Sequence, residues 1–192
     1  MSRLAIIALA TALSTTAHAQ WYAGAGIGVA TTRAGGSTGA LSLSAHETHN
    51  VGLKIMGGYQ INPVFGIEAQ YADLGRFGYS ACAGGACNTG HARADQWSLA
   101  GTVTVPFGNN YFGFAKLGAT RNQVRNGQAC AGATCADLSG SRGDLLGGLG
   151  VGYRFNANLA MRVEYEHFGR LTSRDGLAAR GDHWAASIVY SF

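Results

Sequence analysis

Four cysteines stand in two matching clusters, Cys82-Ala-Gly-Gly-Ala-Cys87 and Cys130-Ala-Gly-Ala-Thr-Cys135. Thiols paired in this way either close disulfides or hold metal. Adding His91 to the first cluster, or joining His46 to His49, gives no spacing that matches a zinc template. In an exported chain an even cysteine count reads as disulfides instead. Of the three possible connectivities, the local ones, Cys82–Cys87 and Cys130–Cys135, are favoured. Each would close a glycine-rich loop tip. A different chemistry is suggested by His167 and His183 with Ser173 and Asp182, a set that a lipid-modifying enzyme would need at the rim of a barrel. Nothing in the sequence fixes their geometry, and neither a nucleophile elbow nor a zinc-protease helix motif occurs. Gly24-Ala25-Gly26-Ile27-Gly28 is not a phosphate loop, because no helix pattern follows and the third glycine is misplaced. A non-enzymatic protein without metal or cofactor is therefore expected.

The remaining chemistry is ionic. Lys54, Lys116, Arg154 and Arg162 face Glu68, Glu164 and Glu166 as candidates for one shared interior. The elements that carry them explain why. From Trp21 onward the apolar residues recur with period two, the signature of a strand with two unlike faces. Trp21, Ala23, Ala25, Ile27 and Val29 alternate with Tyr22 and three glycines. Val51, Leu53 and Ile55 flank Lys54; Phe65, Ile67, Ala69 and Tyr71 flank Glu68. Trp97 to Val105 continues the pattern. Tyr111 to Leu117 carries Lys116, Leu145 to Tyr153 leads to Arg154, and Leu159 to Tyr165 carries Arg162 and Glu164. Trp184, Ala186, Ile188, Tyr190 and Phe192 complete the set. Each of these eight segments has about ten residues, the length a tilted strand needs to cross a bilayer.

The connections alternate in length. Asn62-Pro63, Gly108-Asn109-Asn110 and Asn156-Ala157-Asn158 are tight-turn chemistry. Between them lie long polar stretches, read as loops, near Arg33–Glu47, Gly75–Arg93, Asn126–Arg142 and Gly169–Gly181. Outer-membrane barrels alternate short periplasmic turns with long extracellular loops in this way. A soluble sandwich has no reason to do so.

The compartment follows from the N-terminus. Arg3 is basic, Leu4 to Leu13 is an apolar run too short to span, and Ala17-His18-Ala19 offers small residues for cleavage. This is the layout of a secretory signal over residues 1–19, which leaves a barrel domain over 20–192. Without Arg3, thirteen basic residues stand against ten acidic ones, an excess too mild for a nucleic-acid protein. Charged residues make up only 12% of the chain, about half the usual share of roughly 25%. Much of the exterior is thus expected to meet something other than water.

Inside a bilayer every backbone amide must be paired within the protein, so a spanning sheet has to close. The sequence therefore predicts an all-β, eight-stranded antiparallel up-and-down transmembrane barrel. Aromatic girdles are expected at Trp21, Tyr59, Phe65, Phe107, Tyr111, Phe155 and Phe192 on the turn side, and at Trp97, Phe168 and Trp184 towards the loops. The seven charges should pair and plug the lumen, with a narrow solute-passing pore as the alternative. Loop-side arginines, Arg33, Arg76, Arg93, Arg121, Arg125, Arg142, Arg170, Arg174 and Arg180, offset by seven acidic residues from Glu47 to Asp182, are suited to lipopolysaccharide phosphates or to a mixed-charge solvated surface.

Tyr71-Ala72-Asp73-Leu74-Gly75, the comparable Tyr165-Glu166-His167-Phe168-Gly169 and the terminal Ile188-Val189-Tyr190-Ser191-Phe192 carry a family likeness. Over nearly the whole mature chain the sequence resembles the OmpA-type transmembrane domain and related small outer-membrane barrels. The resemblance implies that Tyr190 and Phe192 belong to the signal read by the barrel-assembly machinery. It also implies that Glu68, Lys116 and Arg162 are counterparts of the family's interior salt-bridging residues. The chain stops at the barrel, so the peptidoglycan-binding domain of full-length members is expected to be missing. The cysteine loops are not a family hallmark. A structural or surface-interaction role follows, in contact with outer-membrane lipid and lipopolysaccharide, with no surface ligand named.

Overall fold

The computed structural model describes residues 20–38, 41–44, 48–125, 128–131, 134–137, 139–174 and 177–192. Residues 1–19, the expected signal, lie outside them. The strands run β1 (Gln20–Thr38), β2 (Leu41–Ser44), β3 (Thr48–Gln60), β4 (Phe65–Ala83), β5 (Ala86–Phe107), β6 (Tyr111–Arg125), β7 (Gln128–Ala131), β8 (Thr134–Asp137), β9 (Gly140–Arg154), β10 (Leu159–Arg174) and β11 (Leu177–Ser191). Eight long strands make the wall in the order β1-β3-β4-β5-β6-β9-β10-β11. All neighbours are antiparallel, and β11 returns to β1 from Tyr22↔Ser191 to Gly36↔Leu177. The result is a closed eight-stranded barrel. Closure leaves no strand edge unpaired in hydrocarbon, the condition a membrane imposes.

The period-two pattern sorts the two faces. Val51 and Leu117 are 75% and 70% exposed, whereas Lys54 and Lys116, one residue away from Leu53 and Leu117, are buried. In water this inside-out distribution would be a large exposed apolar surface; in lipid it is the favourable one. Aromatic pairs mark both margins of the apolar band. Trp21–Tyr59 and Tyr111–Tyr153, with centroids 4.9 and 5.0 Å apart, lie at the turn end. Tyr71–Trp97 and Tyr165–Trp184, at 4.9 and 5.1 Å, lie at the loop end.

Short turns form as their chemistry dictates. The Asn62 carboxamide oxygen accepts from Val64 N and Phe65 N, and Asn156 accepts from Asn158 N and Leu159 N. These are Asx turns that tie the chain back on itself. The long connections depart from expectation. The stretch Gly75–Arg93, read as a loop, continues β4 and β5 as a hairpin to Ala83↔Ala86. Its tip is Gly84-Gly85, both left-handed with φ of 58° and 83°, as a two-residue primed turn requires. Strand pairing likewise continues beyond the apolar band in β1–β11, β5–β6 and β6–β9. Polar composition marked where the lipid ends, not where the ladder ends.

The two similar motifs, Tyr71 to Gly75 and Tyr165 to Gly169, do the same structural work. Register shifts follow Asp73 and His167, and Gly75 and Gly169 take φ of 78° and 64°. In each case the preceding large apolar residue, Leu74 or Phe168, turns inward and is buried. Phe168 therefore does not join the outer girdle as expected. It shares strand parity with Glu166 and packs against His183, centroids 5.8 Å apart. Tyr165 takes the girdle position instead.

Candidate functional site

At mid-height the lumen is filled by six charged side chains from four strands: Lys54 (β3), Glu68 (β4), Lys116 (β6) and Arg162, Glu164 and Glu166 (β10). The register makes room for them. Lys54 lies opposite Gly26, Glu68 opposite Gly58, Lys116 and Glu166 opposite Gly148, Arg162 opposite Gly152 and Glu164 opposite Gly150. Each of the six charged side chains thus has a glycine across one ladder. A Cβ on Gly148 would sit 2.9 Å from Lys116 Cγ, and one on Gly152 would overlap the Phe112 ring. These glycines leave space for neighbouring side chains.

Lys54 Nζ donates to Glu164 Oε1 at 2.6 Å and to Glu166 Oε1 at 2.8 Å. Lys116 Nζ reaches Glu68 Oε1 at 3.0 Å, Glu166 Oε1 at 2.7 Å, and also Glu164. The Arg162 guanidinium donates to Glu68 Oε2 at 2.6 Å. Three cations meet three carboxylates, and no side chain in the set is more than 7% exposed. Isolated, any one of these ions would carry a desolvation cost of several kcal/mol; opposed and hydrogen-bonded, they compensate each other.

Four further residues complete the layer. Tyr22 OH donates to Glu68 Oε2 at 3.0 Å, and Gln70 Nε2 to Glu166 Oε1 at 2.8 Å. His183 Nδ1 lies 3.5 Å from Glu166 Oε2. Phe114 faces Arg162 and Lys116, with 5.1 and 5.8 Å from the cations to its ring centroid. Strand parity was the available signal: Tyr22, Gln70 and Phe114 all fall on the faces that carry the charges.

Arg154 stands apart from this network. Its side chain is exposed at the turn end, over the Phe112 ring at 4.7 Å. It shares the parity of Gly152 but lies at the last residue of β9, below the ionic layer. Cavities of about 90 and 350 Å³ open there, the first bounded by Arg154 and Arg162, the second by Arg154, Gln20 and Pro106.

The residues considered for rim catalysis separate across the wall, with His167 and Asp182 together on the outer face. His183 is buried in the lumen. Asp182, next in the strand, points the other way, accepts from Tyr165 OH at 2.8 Å and lies 2.7 Å from His167 Nδ1. The side chains of Ser173, His46 and His49 are outside the described ones. Cys82 and Cys87, directly opposed across β4 and β5, form a disulfide. Cys130 is also disulfide-bonded and faces Cys135 in the β7–β8 register. Tyr190 and Phe192 lie at the turn-end margin, 5.2 Å apart between ring centroids.

On the outer wall beyond Trp97, Arg93 pairs with Asp73, and Arg125 Nε with Asp95 Oδ1 at 3.1 Å. The hydrogen bond from Arg93 holds the Asp73 carboxyl below the usual carboxylate range.

Comparison with known proteins agrees with this architecture. The chain is 28% identical over 97% of its length to outer membrane protein A of Yersinia pseudotuberculosis, covering 54% of that protein. It thus spans about half the length of the curated relative. Two solved structures share the fold: OprG from Pseudomonas aeruginosa (TM-score 0.61, 11% identity, 92% of this chain and 97% of that one) and Neisserial surface protein A (TM-score 0.59, 14% identity, 90% and 97%). The family model for the OmpA-like transmembrane domain matches residues 16–192. With its closed barrel, lipid-facing apolar band and match along almost its entire length, this chain belongs to the OmpA-like transmembrane domain family of the bacterial outer membrane.

Proposed function

We propose that the barrel is a sealed, non-enzymatic component of the outer membrane that contributes to envelope integrity and presents its disulfide-closed hairpins for surface interaction. One observation carries this reading: six charged side chains neutralise one another across the bore and are almost wholly buried. Eight strands enclose a space only wide enough for side chains to fill, and here charged groups fill it. The partners on this reading are outer-membrane lipid and lipopolysaccharide, with the barrel-assembly machinery engaging Tyr190 and Phe192 during biogenesis. Conductance across planar bilayers is the test. A sealed lumen gives a silent membrane. A narrow porin, the second reading, draws on the turn-end cavities; it predicts reproducible current steps that vanish when Thr104, which lines the inner cavity, is replaced by Trp.

A further inference from the structure

Below the ionic layer, at the turn end of the lumen, the cavities of about 90 and 350 Å³ share Tyr22, Gln60, Arg154 and Ser191 in their walls. They form one recess with an inner and an outer chamber. Aromatic rings shape the inner one. Phe112 and Phe114, two residues apart on β6, turn to the same inner face with ring centroids 6.1 Å apart. Two glycines of β9 seat them: a Cβ on Gly152 would overlap the Phe112 ring, and one on Gly150 would fall 2.6 Å from Phe114 Cζ. A guanidinium lies over each ring, Arg154 at 4.7 Å from the Phe112 centroid and Arg162 at 5.1 Å from that of Phe114.

The two cations differ in what they can offer. Arg162 donates to Glu68 Oε2 at 2.6 Å and is part of the neutralised layer. Arg154 is exposed and, among the described residues, has no ion pair. The Phe112 ring holds it as a cation, while its fork of N–H donors has no carboxylate to engage. No acidic side chain lines either chamber, and the turns 61–64, 108–110 and 155–158 contain none. A recess with cations and no anions in its walls concentrates negative ligands. Deeper in the inner chamber stands Thr102, only 5% exposed, whose Oγ1 has no hydrogen-bond partner. A buried hydroxyl left unpaired is costly, and a polar group arriving in the chamber would relieve it.

We infer that this recess binds a small organic carboxylate with an aromatic body and a hydroxyl at its far end. The carboxylate is forked on Arg154, the ring lies along Phe112 and Phe114, and the hydroxyl reaches Thr102. Guanidinium suits this task because its planar donors match a carboxylate in pairs. The outer-membrane reading of the barrel enters only in the direction of approach, from the periplasm. Whether the ionic layer conducts is a separate matter, so failure of this site would leave the sealed lumen standing.

Titration of the refolded barrel in zwitterionic detergent, followed through the backbone amide resonances of Phe112, Phe114, Gly152 and Arg154, tests the site. The probes are para-hydroxyphenylacetate, its neutral amide, the cationic amine tyramine, and phenylacetate. Saturable shifts at these amides are expected with para-hydroxyphenylacetate, and affinities about tenfold or more lower for the amide and for tyramine. Arg154→Gln should weaken para-hydroxyphenylacetate by a similar factor. Thr102→Val should weaken it several-fold yet leave phenylacetate, which lacks the hydroxyl, unchanged; a merely structural role for Thr102 would move both. The heat-dependent gel shift of each variant reports that the barrel still forms. Shifts that do not saturate would mean that the recess holds water alone and would overturn the site. Equal binding of tyramine, or unchanged binding in Arg154→Gln, would do the same.

Discussion

The most demanding residues in this protein are those whose charge is out of place. Glu68 holds Arg162 and Lys116 at once and also accepts from Tyr22. Glu68→Ala removes the acceptor and leaves Arg162 buried without its main partner. Breaking a buried ion pair from one side costs about 3–5 kcal/mol, because the remaining charge keeps its desolvation cost. Urea unfolding of the refolded protein in lipid vesicles, followed by tryptophan fluorescence, should show a loss of this size. A change near zero would mean that water reaches the layer and that it does not seal the bore.

At the scale of elements, β4 and β5 behave as two structures in one. Up to Trp97 they are wall, held by neighbours on both sides. Beyond the bulge at Gly75 they form a hairpin held by its own turn, by the Cys82–Cys87 bridge and by β2, which pairs with β4 from Ser42↔Cys82 to Ser44↔Ser80. Replacing Gly84 and Gly85 together with alanine forces two L-residues into the left-handed region, at about 1–2 kcal/mol each. The expected result is faster amide exchange across Tyr79–Gly90 while the wall strands and the heat-dependent gel shift stay as in the parent. An equal rise in exchange throughout the sheet would show instead that hairpin and wall fold as one cooperative unit.

Considered as a whole, the molecule is an inverted globule. The charged side chains of its interior pair with one another, and its large exposed apolar side chains face lipid. Leu53 is exposed on the middle of β3, between Lys54 and Gly52, which point inward. Leu53→Arg should therefore destabilise the barrel by about 2–4 kcal/mol in a bilayer. In a soluble protein the same exchange at a surface position has almost no effect. Comparing the unfolding free energies of parent and variant in vesicles decides between the two environments.

Much of this was legible in the residues themselves. Alternation of Val51, Leu53 and Ile55 with Gly52 and Lys54 fixes which face meets lipid, because side-chain direction in a strand depends only on parity. Asn62 and Asn156 announce their turns, since the side chain bonds to its own backbone two and three residues on. Three things required the closed sheet. The first is which charges meet: Lys54 and Glu164 are 110 positions apart, and only the register of all eight strands brings them to one height. The second is the end of each strand, because backbone pairing continues past the point where composition turns polar. The third is the fate of single residues near a boundary. Arg154 falls below the ionic layer and Phe168 turns into the lumen, since strand parity gives a residue its face whereas only the assembled barrel gives it a depth.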